Sequence, residues 1–488
     1  MTRSIIYIVL ALCIASCGKK YLEIVPLGDQ VAVTTSDYDK LMNDPAFYFS
    51  SGGGGLSEAQ LMGDDVDAEA AFFNGVDQTG TRDRLFQWSD TPYQRTTTLP
   101  LMLQKELTQR YELNKIIIEV MSSTGGTDQQ KRSILAEAMA TRAWSNFQLA
   151  SYYCKPYNAS TAGTDPGFPI IDTRDVNVTH FTRGTVQQTY DSIIADFRSA
   201  ISDLPVTPVT PTRMSRAAAE GLLGKVYLFM GRSSDALPLL TDALSIVTTS
   251  GFARLYDYNQ TLGPGGAFQP IDPYFGPQGP GQNYSDLTEA VLSKVFYNGS
   301  YTGNGTGNNG LVLSDAMAAL FQPGDLRLLF YTSNDPDGSP NPDGRLRKFV
   351  TYSRWGLQLP ELILLSAECK ARTNDLSGAK ADVESLRVKR MPPADAVVPA
   401  DTVASQTAMI KFIIDERVRE FAMEGYRWND MRRLSLDPLY SGITFTHTMF
   451  DNSGAGTGTV FTLRQPDRLV LRLPPYIVDT DPGFVQNP

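Results

Sequence analysis

Side chains suited to catalysis are few in this chain, and they are scattered. His180 and His447 are its only histidines, and neither has Cys, His or Glu around it at metal-ligand spacing. No serine-nucleophile motif occurs. Asp64, Asp65 and Asp67 form a carboxylate cluster of the type a glycosidase uses. That chemistry needs two carboxylates on opposite sides of a sugar, which a linear run does not supply. Gly305, Gly307 and Gly310 match the dinucleotide fingerprint by letter. They stand in a Gly/Asn-rich loop without a preceding parallel strand, so no nucleotide site is expected. Asp335, Asp337 and Asp343 offer hard oxygen ligands of the type Ca²⁺ takes, but the glycine is misplaced for an EF-hand. A solvated turn accounts for the same residues, and no metal or cofactor is expected.

Aromatic residues are the richer resource. The chain has 22 Tyr, 23 Phe and 4 Trp. Trp88, Tyr256, Tyr258, Phe268, Tyr274, Phe275, Tyr284 and Tyr301 fall in loops where a core cannot easily claim them all. Ring faces stack on the C–H faces of sugars, while neighbouring Asp, Asn and Arg satisfy the hydroxyls. The most heavily charged stretch is residues 415–433, DERVREFAMEGYRWNDMRR. Glu416, Glu420 and Glu424 recur at i, i+4 and share one helical face that arginines can brace. Phe421 lies on the apolar side, and Gly425 is placed to end the regular run. This stretch reads as an exposed, braced helix and not as a binding site.

These loops must be held by a helical scaffold. Helical periodicity runs through 103–121, 129–153 and 185–204, the second placing Ala136, Ala140, Ala143, Phe147 and Ala150 on one stripe. Residues 217–244 carry Leu223-Gly224-x-x-Tyr227, a turn at 231–234 and Ala236 opening a second helix. Those are the landmarks of a tetratricopeptide (TPR) hairpin, with small residues where two antiparallel helices touch. A shift of 143 residues sets Ala367 under Gly224, Asn374 under Gly231 and Ala379 under Ala236, so 360–390 reads as a second such pair. Residues 140–153 with 185–204 make a third, and three stacked pairs can bury a core. Residues 251–342 and 47–93 are dense in Gly, Pro, Asn, Tyr and Phe, and long irregular segments of this kind usually carry function. A short alternating strand is expected at 468–473. The fold class is therefore mainly α: a TPR-like superhelix of helical hairpins, a large irregular loop layer and a few short strands.

The N-terminus reads as an address. Arg3 precedes an apolar run from Ile5 to Ala15, too short to span a bilayer and right for a secretion signal, and Ile14-Ala15-Ser16-Cys17 is a bacterial lipobox. Residues 1–16 are expected to be a signal peptide and Cys17 to carry the lipid anchor. Cys154 and Cys369 sit in helical apolar patterns, as buried free thiols do. Net charge is −10, and no Lys/Arg run exceeds two residues, which argues against a nucleic-acid partner.

Together these parts resemble the SusD/RagB family of Bacteroidetes outer-membrane lipoproteins. The resemblance rests on the lipobox at Cys17, Arg110-Tyr111 to Asn114, 138–153, the 217–244 pair, 360–372, the Glu424-Gly-Tyr-Arg-Trp-x-Asp430 core and the terminal Gln486-Asn487-Pro488. It implies a single unit over 17–488, with helix pairs within about 102–249 and 357–434 and a ligand-binding layer from about 40–100 and 250–356. It implies a non-enzymatic, lipid-anchored protein on the cell exterior that captures oligosaccharide and passes it to a SusC-like TonB-dependent transporter. A peptide-binding member of the family and a secreted carbohydrate-active enzyme are the alternatives. By position in the family, the ligand residues expected here are Trp88, Tyr256, Tyr274, Phe275, Tyr284 and Tyr301, with Asp64, Asp65 and Arg84 as hydroxyl partners. Only one acid, Glu23, follows Cys17 closely, so the phylum's acidic surface-export signal is weak.

Overall fold

The computed structural model describes residues 32–50, 58–70, 80–94, 99–175, 177–178, 180–297, 310–334, 338, 340–341, 344–451, 458–481 and 483–488. Cys17, the segment 1–16, Tyr301, Asp335, Asp337, Asp343, Gly305 and Gly307 lie outside them.

Among the described residues nine longer helices form the scaffold: α1 (Leu101–Glu119), α2 (Asp128–Tyr153), α3 (Val186–Ile201), α4 (Arg216–Phe229), α5 (Ser233–Ser250), α6 (Leu359–Arg372), α7 (Leu376–Arg387), α8 (Gln406–Phe421) and α9 (Tyr426–Leu434). Capping boxes start α2 (Thr127 with Gln130) and α3 (Thr185 with Gln188), satisfying backbone donors that the first turn leaves free. The stripe Ala136, Ala140, Ala143, Phe147 and Ala150 is buried throughout. Helices pack in chain order, α2 on α3, α3 on α4, α4 on α5, α5 on α6 and α6 on both α7 and α8, which is the stacking of TPR-like hairpins.

The two hairpins related by the 143-residue shift share a turn conformation. Gly231 (φ 76) and Asn374 (φ 68) both take the left-handed backbone, which glycine and asparagine adopt most readily. At Gly224 a Cβ would stand 2.7 Å from Leu240 Cγ, so the close approach of α4 and α5 requires the small residue. Cys154 and Cys369 are free and buried.

Strands are short and, among the described residues, gather in three small sheets. β1 (Phe49–Ser50), β3 (Ala290–Tyr297) and β7 (Tyr352–Gln358) form one, in the order β1-β3-β7. β2 (Val66–Glu69), β4 (Leu311–Leu313), β8 (Thr446–Phe450) and β9 (Gly458–Thr462) form another, in the order β4-β2-β8-β9. β5 (Tyr331–Thr332) pairs with β6 (Arg347–Lys348). The strand expected at 468–473 is not formed. A 3₁₀ turn occupies Asp467–Leu469, and the chain then runs extended, with Leu471 N–H donating to Tyr152 O. Its alternation reflects burial of Leu469, Leu471 and Leu473 against the helices.

The stretch 415–433 is two helices and not one, and its charges are buried rather than exposed. α8 ends at Phe421, and Met423 (φ 64) and Gly425 (φ 89) turn the chain into α9. The Phe421 ring then stacks on Tyr426 at 4.3 Å. Glu416, fully buried, meets Arg387 at 2.7 Å, Arg327 at 2.8 Å and Arg419 at 2.9 Å. Glu420 meets Arg390 and Arg327, and Glu424 meets Lys348. Arg417 and Arg433 close on Asp430 from either side. Burial alone would raise the Glu416 carboxyl, but the guanidiniums of Arg327, Arg419 and Arg387 hold it well below the usual carboxylate range. These residues lock α7, α8 and the loop at 325–327 together.

Candidate functional site

The β1-β3-β7 sheet separates a core face from an aromatic one. Phe296 and Trp355 point inward and are buried. The alternate residues carry the other face: Tyr297 is paired with Tyr352 across β3 and β7, and Phe49 is paired with Val295 across β1 and β3. Tyr284, on the loop before β3, completes a cluster. Its ring centroid lies 5.1 Å from Phe49 and 5.7 Å from Tyr352, and Tyr352 is 5.5 Å from Tyr297. The rings are tilted to one another by 33°, 59° and 45°. Tyr284 is 49% exposed, and Phe49, Tyr297 and Tyr352 are half-buried.

Arg354 fixes this loop. Its guanidinium, from β7, donates to the carbonyls of Pro280, Asn283 and Asp286, on both sides of Tyr284. Just upstream, the Asp272 carboxylate accepts from the N–H groups of Tyr274 (2.7 Å) and Phe275 (3.0 Å). Gly276 (φ 74) packs against Phe349 where a side chain would collide. Gln282 Nε2 donates to Phe275 O. Tyr274 and Phe275 are thus held outward, 51% and 52% exposed, on backbone that is itself tied down. Rigid support of this sort lowers the ordering cost when a ligand binds.

The other expected ligand residues are placed elsewhere. Trp88 is buried: its indole N–H donates to Met62 O at 3.0 Å and its ring stacks at 3.8 Å on His447. The core therefore claims this ring, which has no face for a sugar. His447 is sandwiched between Trp88 and Phe86, with both ring nitrogens 2.6 Å from backbone carbonyls, and burial lowers its pKa to about 4. Asp65 is also buried. Its carboxylate accepts from Met423 N–H at 2.7 Å, while the Gln60 amide donates to Met423 O. The two clamp the left-handed turn between α8 and α9. Burial pushes Asp65 up to about 6. Asp64 is engaged by Arg427 at 2.6 Å, and Arg84 Nε donates to Pro92 O. Tyr256 is half-buried, with its hydroxyl donating to Asp286 and its ring against Phe268 at 4.9 Å; Tyr258 and Phe268 are buried beside it.

Of the expected set, Tyr274, Phe275 and Tyr284 present rings to solvent on one supported loop. Phe49, Tyr297 and Tyr352 cluster with Tyr284, and the sequence reading did not single these three out. A signal existed in the alternation of KVFY (294–297) and YSRW (352–355), where every second residue faces the same way. Among the described residues no group of three or more His, Cys, Asp or Glu is arranged to hold a metal ion. No helix among them is long and apolar enough to cross a membrane.

Two family models match the chain. One, described as starch-binding and associating with the outer membrane (SusD-like), covers residues 92–228, and one for the SusD family covers residues 355–488. No curated protein matches it in sequence. Among solved structures, a SusD superfamily protein from Bacteroides thetaiotaomicron superposes with TM-score 0.68 at 18% identity, covering 93% of this chain and 100% of that one. One from Bacteroides vulgatus gives 0.67 at 20% identity, covering 93% and 99%. A laminarin binding SusD-like protein gives 0.60 at 15% identity, covering 94% and 100%. At these identities the likeness is one of fold.

Proposed function

This chain belongs to the SusD/RagB family, and on that premise we propose that it is a glycan-binding protein that captures oligosaccharide without turning it over. The observation that carries the reading is the cluster of Phe49, Tyr284, Tyr352 and Tyr297, a supported aromatic surface. Sugar rings bring apolar C–H faces for such a platform, and tilted rings receive successive residues of a bent chain. The family's association with the outer membrane and the lipobox at Cys17 support a lipid anchor there, facing the exterior. Delivery to a SusC-like TonB-dependent transporter completes the proposal.

Calorimetry of the full soluble chain against an oligosaccharide panel tests it. Saturable heat without product release is expected. Tyr284→Ala removes one face of a half-exposed ring, on the order of 40–80 Å² of contact, so binding should weaken by roughly 1–2 kcal/mol, or about 5- to 30-fold. A folded Tyr284→Ala protein with unchanged affinity would dismiss the platform. Released sugar product would replace binding with catalysis.

A further inference from the structure

Behind the edge strand β1, on the core face of the sheet and opposite the platform, lies a cavity of about 30 Å³ whose lining includes Phe49. That is room for a water molecule or two, or for one small substituent. Trp144, Trp355, Phe47 and Phe296 give it apolar walls. Three buried polar side chains also line it: Lys294, Glu106 and Trp144, each 4% exposed.

Their hydrogen bonding is incomplete in one sense only, an excess of donors. The Lys294 ammonium donates to Phe47 O at 2.5 Å and stands 5.3 Å from the Trp144 ring. Among the described residues no carboxylate pairs with it, although an ammonium has three N–H bonds to place. Among the described residues the Trp144 indole N–H likewise has no hydrogen-bond partner. Burial lowers the lysine to about 8, against the pull of Glu106 and Glu137, so the cation persists at neutral pH. Unpaired donors in an apolar box call for a guest with an acceptor oxygen and a greasy end. Glu106, which accepts from Ser145 at 2.6 Å, faces the same space and disfavours an anionic guest.

We propose that this cavity is a substituent pocket for an acetyl group on a sugar that passes from the platform round the edge of β1, with its carbonyl oxygen accepting from the lysine or indole donors and its methyl against the aromatic walls. The inference rests on the glycan-binding reading and names a ligand class for it: N- or O-acetylated glycans.

The test compares matched ligands on the full soluble chain by calorimetry. O-acetylated xylo-oligosaccharides are set against the same material after alkaline deacetylation, chitotetraose against cellotetraose, and uronic-acid-substituted xylo-oligosaccharides form a fifth arm. At least one acetylated member should bind about tenfold tighter than its counterpart. Ala46→Trp, at an exposed residue lining the cavity, should abolish that difference and leave the unacetylated ligand unaffected. Lys294→Met should do the same, and if it fails to fold, the Ala46 variant carries the test. Equal binding of both members of each pair would overturn the pocket while leaving the platform standing. Preference for the uronate would overturn the acetyl assignment. Absence of binding in every arm would overturn the glycan-binding reading and the pocket with it.

Discussion

Replacing Glu416 by Gln keeps the shape of the side chain and removes one negative charge from the centre of the α7–α8 junction. Among the described residues Arg387 and Arg419 each have Glu416 as their one carboxylate partner, and they would keep only neutral acceptors: the new amide oxygen and the backbone carbonyls of Asp395 and Ala396 for the first and of Leu320 for the second. Arg327 would retain Asp325 and Glu420. Two guanidiniums, exposed by 2% and 8%, are thereby left buried without a counter-charge. Breaking a buried pair in this way costs about 3–5 kcal/mol. The comparison is Arg464→Ala, whose pairing with Asp90 is half-exposed on both sides and should cost less than about 1 kcal/mol. Urea unfolding followed by tryptophan fluorescence at neutral pH reads both as midpoint shifts at constant slope. A Glu416→Gln loss no larger than that of Arg464→Ala, in a folded protein, would refute the claim that these charges stabilise one another. The pH dependence must also agree. The Glu416 carboxyl lies below its unfolded value of about 4.3, so its contribution is complete above that value and is lost as pH falls through the lower folded one.

Trp88→Ala should cost about 3–5 kcal/mol in the same assay, as removal of a buried aromatic does, and leave sugar affinity intact in the folded fraction; a selective affinity loss would restore Trp88 to the site. Asp65 has the opposite sign to Glu416. Its folded pKa of about 6 exceeds the unfolded value, so its ionisation weakens the fold as pH rises through that interval. Asp65→Asn should therefore gain stability relative to the parent between pH 4.5 and 7.5, and a pH-independent difference would contradict the assignment. Gly425→Ala places a Cβ 3.0 Å from Trp355 Cζ2 and 3.1 Å from Gln60 N at φ 89. A loss of about 1–3 kcal/mol or more is expected by thermal unfolding, and a neutral result would mean that this turn relaxes freely.

The helical scaffold was legible because its signals are local. Periodicity, capping residues and turn residues act within a few positions, which is why Gly231 and Asn374 could be matched from spacing alone. The candidate site was only half legible, because exposure is decided by distant partners. Trp88 and Tyr284 both read as loop aromatics. His447 and Met62 take the first into the core, while Arg354 holds the second outward through carbonyls of its own loop. The charge ladder at 416, 420 and 424 was recognised as bracing, but its burial depends on Arg327, Arg387 and Arg390, whose arrival the local pattern does not announce. Phe49, Tyr297 and Tyr352 converge across strands separated by more than 240 residues in one case, beyond the reach of any window on the sequence.

The short helix and strand between Glu58 and Glu69 have a further consequence, concerning time. Several ties that fix this segment come from the far end of the chain: Asp65 to Met423 spans 358 positions, Asp64 to Arg427 spans 363 and Gly63 to His447 spans 384. Closing loops of that length costs little in equilibrium stability but much in folding rate. At synthesis rates of roughly 5–20 residues per second, Gly63, Asp64 and Asp65 wait about 20–70 seconds for these partners to be made. During that interval the growing chain carries an unfinished apolar segment near its beginning, and a holding chaperone would have its work there.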